Sequence, residues 1–167
     1  GMSVFLLDLR AAVGNGIELR KIDAMINHNT CEVFIDNLEI PGDTLVGEEG
    51  KGFRYIVDSM NAERILIASE CIGDAKYFIR KAVEYANERK VFGGPIGANQ
   101  GIQFPIAKAY ADAQAAELMV RKAAALFDSG QKVAAEANMA KLLAADASWQ
   151  AAEVCMQVYG GFAFARE

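Results

Sequence analysis

From Phe53 to Lys90 the chain runs without a proline and with a single glycine, Gly73. Within that run Phe53, Ile56, Val57, Met60, Leu66, Ile67, Cys71, Phe78 and Val83 recur at intervals of three and four, the spacing of one face of an α-helix. The pattern predicts an unusually long helix, which sets the scale of the whole fold. A second helix is predicted from about Gln103 to Phe127, with Pro105 tolerated in its first turn and "DSGQ" stopping it. A third runs from about Ala134 to Tyr159 and ends at Gly160 and Gly161. Both are rich in alanine (Ala111, Ala113, Ala115, Ala116; Ala144, Ala145, Ala147, Ala151, Ala152), which favours helix and lets helices pack closely. Three long helices with short links make an antiparallel bundle, so the fold class is mainly α.

The segment before the bundle has a different period. "SVFLLDL" is a short apolar run, "GIELRK" follows the turn-like "GNG", and "CEVFIDNLEI" alternates Val33, Ile35, Leu38 and Ile40 with polar partners, slipping at Asn37. These predict about three strands ending at "PGD", a β-domain remnant over 1–43, followed by the helical-bundle domain over 44–167. Three strands bury one face at best and leave two edges, so a partner chain or a further segment is expected to cover them. The stretch "GGFAFARE" stops just after a helix with two phenylalanines and no packed element following, and the expectation is a bundle cut short.

With 167 residues, 53% of them hydrophobic, the chain can bury one core. A net charge of −5 without a block of like charge gives no basic stripe for nucleic-acid phosphates and no polybasic membrane footprint. No apolar run reaches membrane-spanning length, and "GMSVFLL" lacks the pattern of a signal peptide. The three cysteines, Cys31, Cys71 and Cys155, fit neither a disulfide framework nor a metal knuckle, which points to a reducing, cytoplasmic compartment.

The candidate chemistry is sparse. His28, the one histidine, stands in "NHNT" without a second histidine or a cysteine pair, so a metal site or a histidine-based nucleophile has no partners and a loop histidine is expected. Glu63 lies three residues after Met60 and four before Ile67, with Ile56 two turns back. If its carboxyl projects among these side chains it is costly to ionise and becomes able to take a proton near neutral pH. The other reading puts Glu63 and Arg64 on a solvated or ion-paired face continued by Glu70, Asp74 and Lys81. The stretch "ERKVFGGPIGANQG", Glu88 to Gly101, also reads two ways. Arg89 and Lys90 suit a helix C-terminus, and Gly93, Gly94 and Pro95 stop the helix. Equally, a glycine-rich loop lets backbone amides approach a phosphate while Arg89 supplies charge, although the stretch matches neither the phosphate-loop nor the dinucleotide consensus.

Taken together these residues resemble the acyl-CoA dehydrogenase family over nearly the whole chain. "EVFIDNLEIPGDTLVGEEGKGF" is similar to the family's last β-domain strand, proline turn and entry into the first long helix of its C-terminal bundle. "ERKVFGGPIGANQ" resembles its Arg-x-x-Phe-Gly…Gln signature, and "QVYGGFAF" its Gln-x-x-Gly-Gly-x-x-Phe signature. The resemblance implies FAD held between the β domain and the bundle, partly by a neighbouring subunit. It gives Arg89 the pyrophosphate, places Phe92 near the flavin, and sets Gln100, Gln157 and Gly161 at the adenosine-pyrophosphate end across a homo-oligomer. It also implies an acyl-CoA substrate losing a proton and a hydride, with an electron-transfer flavoprotein as partner. Most members carry their carboxylate base beyond the segment that this chain matches. A subgroup resembling the isovaleryl and long-chain enzymes carries it on the first bundle helix before an arginine, where Glu63-Arg64 in "NAERILIA" stands. Arg64 would then order the site, with Asn61 near the thioester end of CoA. The N-terminal helical domain, the early β domain and the last bundle helices have no counterpart here, which leaves a second expectation: a helical module that self-associates without catalysis.

Overall fold

A computed structural model describes residues 1–25 and 29–166, and the expectation for His28 lies outside the described residues. The chain divides into two compact units, Gly1–Val57 and Asp58–Glu167. The division falls inside the first long helix.

In the first unit, strands β1 (Ile17–Lys21) and β2 (Cys31–Ile35) form an antiparallel pair running from Ile17↔Ile35 to Lys21↔Cys31. Arg20 lies with its guanidinium 4.4 Å from the centre of the Phe34 ring and pairs with Glu18 at 2.8 Å. The expected strand over "SVFLLDL" does not form as a ladder. Only Phe5 bridges to Leu45, with Leu6 N donating to Thr44 O at 2.9 Å and Val46 N to Val4 O at 2.8 Å. The chain then turns into a four-residue helix, α1 (Leu9–Ala12), because the Asp8 carboxylate accepts from Arg10 N at 2.9 Å and caps it. The strand expected to reach Ile40 stops at Ile35, and Asn37 has φ +47, so the slip in the alternation marks the end of the ladder. The sheet therefore has two strands rather than three.

Helix α2 spans Gly52–Glu88, α3 Gln100–Asp128 and α4 Ala134–Tyr159. In the second unit they pack through a seam of small residues. On α2, Ile65, Ala68, Ile72, Ala75, Ile79, Ala82 and Ala86 follow one another in alternating steps of three and four. Ala109, Ala113, Ala116, Val120 and Ala123 do the same on α3, and Ala137, Ala140, Ala144, Ala147 and Ala151 on α4. This 3.5-residue repeat is the signature of ridges on one helix fitting grooves on the next, and alanine lets the axes come close. The seam corrects the expected buried face: Met60, Leu66 and Val83 are exposed, and the buried face of α2 is made of alternating isoleucines and alanines. Directions follow from the pairs. Ala82 and Ala86, late in α2, share a cluster with Ile102 and Ile106, early in α3, and with Cys155 and Val158, late in α4. So α2 and α4 run parallel, with α3 antiparallel to both. Lys76 on α2 and Arg121 on α3 both reach Glu117, at 2.7 and 2.6 Å, and Lys122 reaches Glu136 on α4 at 3.4 Å. No helix among the described residues is long and apolar enough to cross a membrane.

Candidate functional site

The link between α2 and α3 is a small hairpin. Strands β3 (Lys90–Val91) and β4 (Gly94–Pro95) pair antiparallel as Lys90↔Pro95 and Val91↔Gly94. The two-residue loop between them, Phe92 and Gly93, has φ +53 and +86. Positive φ at both central positions marks the turn class that matches strand twist, and a phenylalanine there is strained. The Phe92 ring is fully exposed, at 105%. Ile96 N donates to Arg89 O at 2.9 Å and Gln103 Nε2 to Gly97 O at 2.7 Å, tying the hairpin to both helices. Gly97 fits because a Cβ there would stand 3.0 Å from Ala86 O.

Helix α3 begins at Gln100, three residues before the expected start, so Pro105 sits in its second turn. A proline cannot donate to the carbonyl four residues back, and that carbonyl belongs to Gly101. Gly101 and Pro105 both line a cavity of about 620 Å³, with Gln150, Glu153, Gln157 and Gly161 on its other walls. A second cavity of about 610 Å³ is lined by Tyr85, Glu88, Arg89, Tyr159, Gly161 and Phe162 among others. Gly161 borders both. It lies in the 3-10 turn Gly160–Phe164 that ends α4, entered through Gly160 at φ +60 and ψ −138, a conformation open essentially to glycine alone. Nothing stands within 4 Å of where a Cβ would project from Gly101, Gly160 or Gly161, which leaves main chain open at three points around the cavities.

Aromatic rings form one wall. Tyr85 stacks on Tyr159 with ring centres 4.1 Å apart and planes at 17°, and Phe162 lies parallel to Tyr85 at 6.5 Å. Burial pushes the Tyr159 hydroxyl above its ordinary range, so it stays a neutral phenol. Burial likewise pushes the Cys155 thiol up, opposed by the nearby Lys81 charge. Sequence reasoning missed Tyr85 and Tyr159. The signal was present in their flanking positions, one four residues before Arg89 and the other beside Gly160.

Of the residues singled out by sequence, Arg89 and Gly161 line one cavity, and Gln157 and Gly161 the other. Gln100 opens α3 next to Gly101 without lining either cavity, and Phe92 projects from the hairpin tip. Glu63, Asn61 and Arg64 are elsewhere on α2: 26 residues separate Glu63 from Arg89, about 39 Å at 1.5 Å per helical residue. Arg64 Nη1 donates to Asn61 Oδ1 at 3.5 Å, and Glu63 beside them is exposed. The expected enclosure of its carboxyl by Ile56, Met60 and Ile67 is not present, since Ile56 and Met60 are themselves 42% and 41% exposed.

The family model described as "Acyl-CoA dehydrogenase, C-terminal domain" matches residues 50–167. An acyl-CoA dehydrogenase of Bacillus subtilis is 38% identical over 168 residues, covering 100% of this chain and 44% of the relative. The structure of butyryl-CoA dehydrogenase from Megasphaera elsdenii superposes with a TM-score of 0.90 at 30% identity, over 98% of this chain and 43% of that one. A structure of PigA with FAD and proline gives a TM-score of 0.90 at 26% identity, over 98% of this chain and 43% of its own. The chain thus spans less than half the length of the proteins it matches.

Proposed function

The chain belongs to the acyl-CoA dehydrogenase family, and from that premise we propose that it is the bundle part of a flavin enzyme that desaturates an acyl-CoA thioester at the two carbons following the carbonyl. In this reading residues 1–43 end the β domain and 44–167 belong to the C-terminal bundle. The observation that carries the reading is the convergence of Arg89, Gln157 and Gly161 on two cavities sharing one wall, beside main chain with no side chain in front of it. A guanidinium, a carboxamide and open glycine backbone are a donor set suited to a pyrophosphate, and the stacked tyrosines offer flat apolar surface. These residues fit FAD. Arg89 would neutralise its pyrophosphate, Gln157 and Gly161 would hold the adenosine side with Gln100 beside them, and exposed Phe92 would pack near the flavin.

Bound FAD supplies the two-electron acceptor for the hydride that leaves the substrate. The chain's own part in the chemistry is the proton. Glu63 takes it from the carbon next to the thioester, Arg64 holds Asn61 through the 3.5 Å contact, and Asn61 meets the thioester end of CoA. Glu63 is exposed in the unit by itself, so the dry surroundings that a strong base needs come from elements packing over this part of α2. The separation of about 39 Å from Glu63 to Arg89 along α2 exceeds what one dinucleotide spans. In this reading Glu63 of one copy and Arg89 of another would serve the same flavin, the first as base beside the substrate and the second as the charge that holds the phosphates. An electron-transfer flavoprotein would be the partner that takes up the electrons.

The test of Glu63 uses the flavin-loaded enzyme that contains this segment. Glu63→Gln keeps shape and hydrogen-bonding capacity but removes the proton acceptor, so flavin reduction in a single turnover should slow roughly 100-fold or more with substrate binding nearly preserved. Glu70→Gln on the same helix is the control and should change the rate far less. A Glu63→Gln rate equal to wild type removes Glu63 from the mechanism.

A further inference from the structure

We propose that Asn15 is a self-modification site, at which the main-chain nitrogen of Gly16 attacks the Asn15 carboxamide and converts it to aspartate and isoaspartate. The balance is simple: a bond forms between Gly16 N and Asn15 Cγ, ammonia leaves, and the resulting five-membered imide is opened by water at either carbonyl. No oxidant or further reactant is involved.

Three observations place the reaction here. Asn15 is exposed, and its carboxamide has one restraint, Nδ2 donating to Ala11 O at 3.2 Å. Gly16 follows with φ +97, and with no side chain its nitrogen is free to attack the Asn15 carboxamide. That nitrogen donates no hydrogen bond among the described residues, although its neighbours are engaged: Asn15 N donates to Ala12 O at 2.9 Å and Gly14 N to Ile17 O at 2.9 Å. Among the described residues the other asparagines lack this combination. Asn61, Asn87 and Asn138 lie inside helices, where the following nitrogen is held in the helical ladder, and Asn29, Asn37 and Asn99 precede residues that carry side chains.

The position gives the modification a structural effect. A carboxylate at position 15 cannot donate to Ala11 O, so both products lose that tether. The isoaspartyl product also lengthens the main chain by one carbon between Val13, which bridges to Ile17, and Gly16, whose carbonyl accepts from Asp36 N at 3.0 Å. Ile17, 3% exposed, begins the β1–β2 ladder at that point. Modified chains should lose protection at the Gly14 and Asp36 amides, which donate to Ile17 O and Gly16 O.

The experiment ages the folded protein in warm, mildly alkaline buffer and maps it with trypsin, which releases Ala11–Arg20 with Asn15 as its single side-chain amide. The expected result is a gain of about 1 Da in that peptide, positive to an isoaspartyl methyltransferase, at a rate close to that of the isolated peptide and ahead of every other asparagine. Asn15→Gln, which would need a larger ring, should abolish the signal, and hydrogen exchange should locate the loosening at Gly14 and Asp36. An Ala11–Arg20 peptide that stays unmodified in the folded protein while the free peptide reacts overturns the proposal. So does a mass gain without isoaspartate.

Discussion

Glu117 holds two helices in register with one carboxylate. Lys76 from α2 and Arg121 from its own helix reach its two oxygens, and the side chain is only 15% exposed. The hydrogen bonds from Lys76 and then Arg121 hold its carboxyl below the ordinary value of 4.5. A depressed value in the folded state means that the ion pairs stabilise the protein above the ordinary carboxylate range, and that this contribution is lost as pH falls through the folded value. Glu117→Gln should therefore melt earlier than wild type at neutral pH, with the two melting temperatures converging in acid. A gap that does not change with pH would mean that Glu117 acts through shape rather than charge. Glu63 was legible from sequence in placement and not in surroundings. Spacing put it near Ile56, Met60 and Ile67, but no sequence spacing says whether a helix face is covered, and here Glu63 is exposed.

At the scale of elements, the third helix was read at its observed ends, Ala134 to Tyr159, because Gly160 can take a conformation that stops it and "DSGQ" separates it from α3. The start of α3 was missed because Pro105 reads as a first-turn residue, whereas Ile102 N and Gln103 N both donate to Asn99 O at 3.0 Å and begin the helix earlier. The buried face of α2 was misread for a related reason. Large apolar residues give the stronger periodic signal, but the face that is buried alternates isoleucine with alanine, Ile65, Ala68, Ile72, Ala75, Ile79 and Ala82, and leaves Met60, Leu66 and Val83 outside. This packing leaves no room at the seam. Ala140, with no exposed surface, lies in the core cluster that α4 shares with α2 and α3, and Ala140→Leu should cost about 1–3 kcal/mol by overpacking. Urea unfolding measures it. A Leu variant as stable as wild type would show that the helices can move apart without loss. The first expected strand gives way for a local reason: Asp8 ends the apolar run and caps a helical turn.

For the whole molecule, the second unit is a three-helix body whose inner seam is satisfied and whose outer surface is not. Leu142, Trp149 and Met156, seven residues apart on α4, are 61%, 68% and 46% exposed. Such a stripe is what a helix presents when another helix packs against it, in the same chain or in a neighbouring copy. The proposed function makes the stronger demand, that two copies complete each flavin site. Mixed oligomers of the flavin-loaded enzyme test this most directly. Glu63→Gln and Arg89→Glu are each expected to inactivate the enzyme when every copy carries the change, the first by removing the proton acceptor and the second by repelling the pyrophosphate. Co-assembly of the two variants should restore activity, because one site in each mixed pair then has Glu63 from one copy and Arg89 from the other, both unaltered. Mixed oligomers that remain as inactive as the separate variants would mean that Glu63 and Arg89 do not meet across copies at one flavin, and would contradict the account.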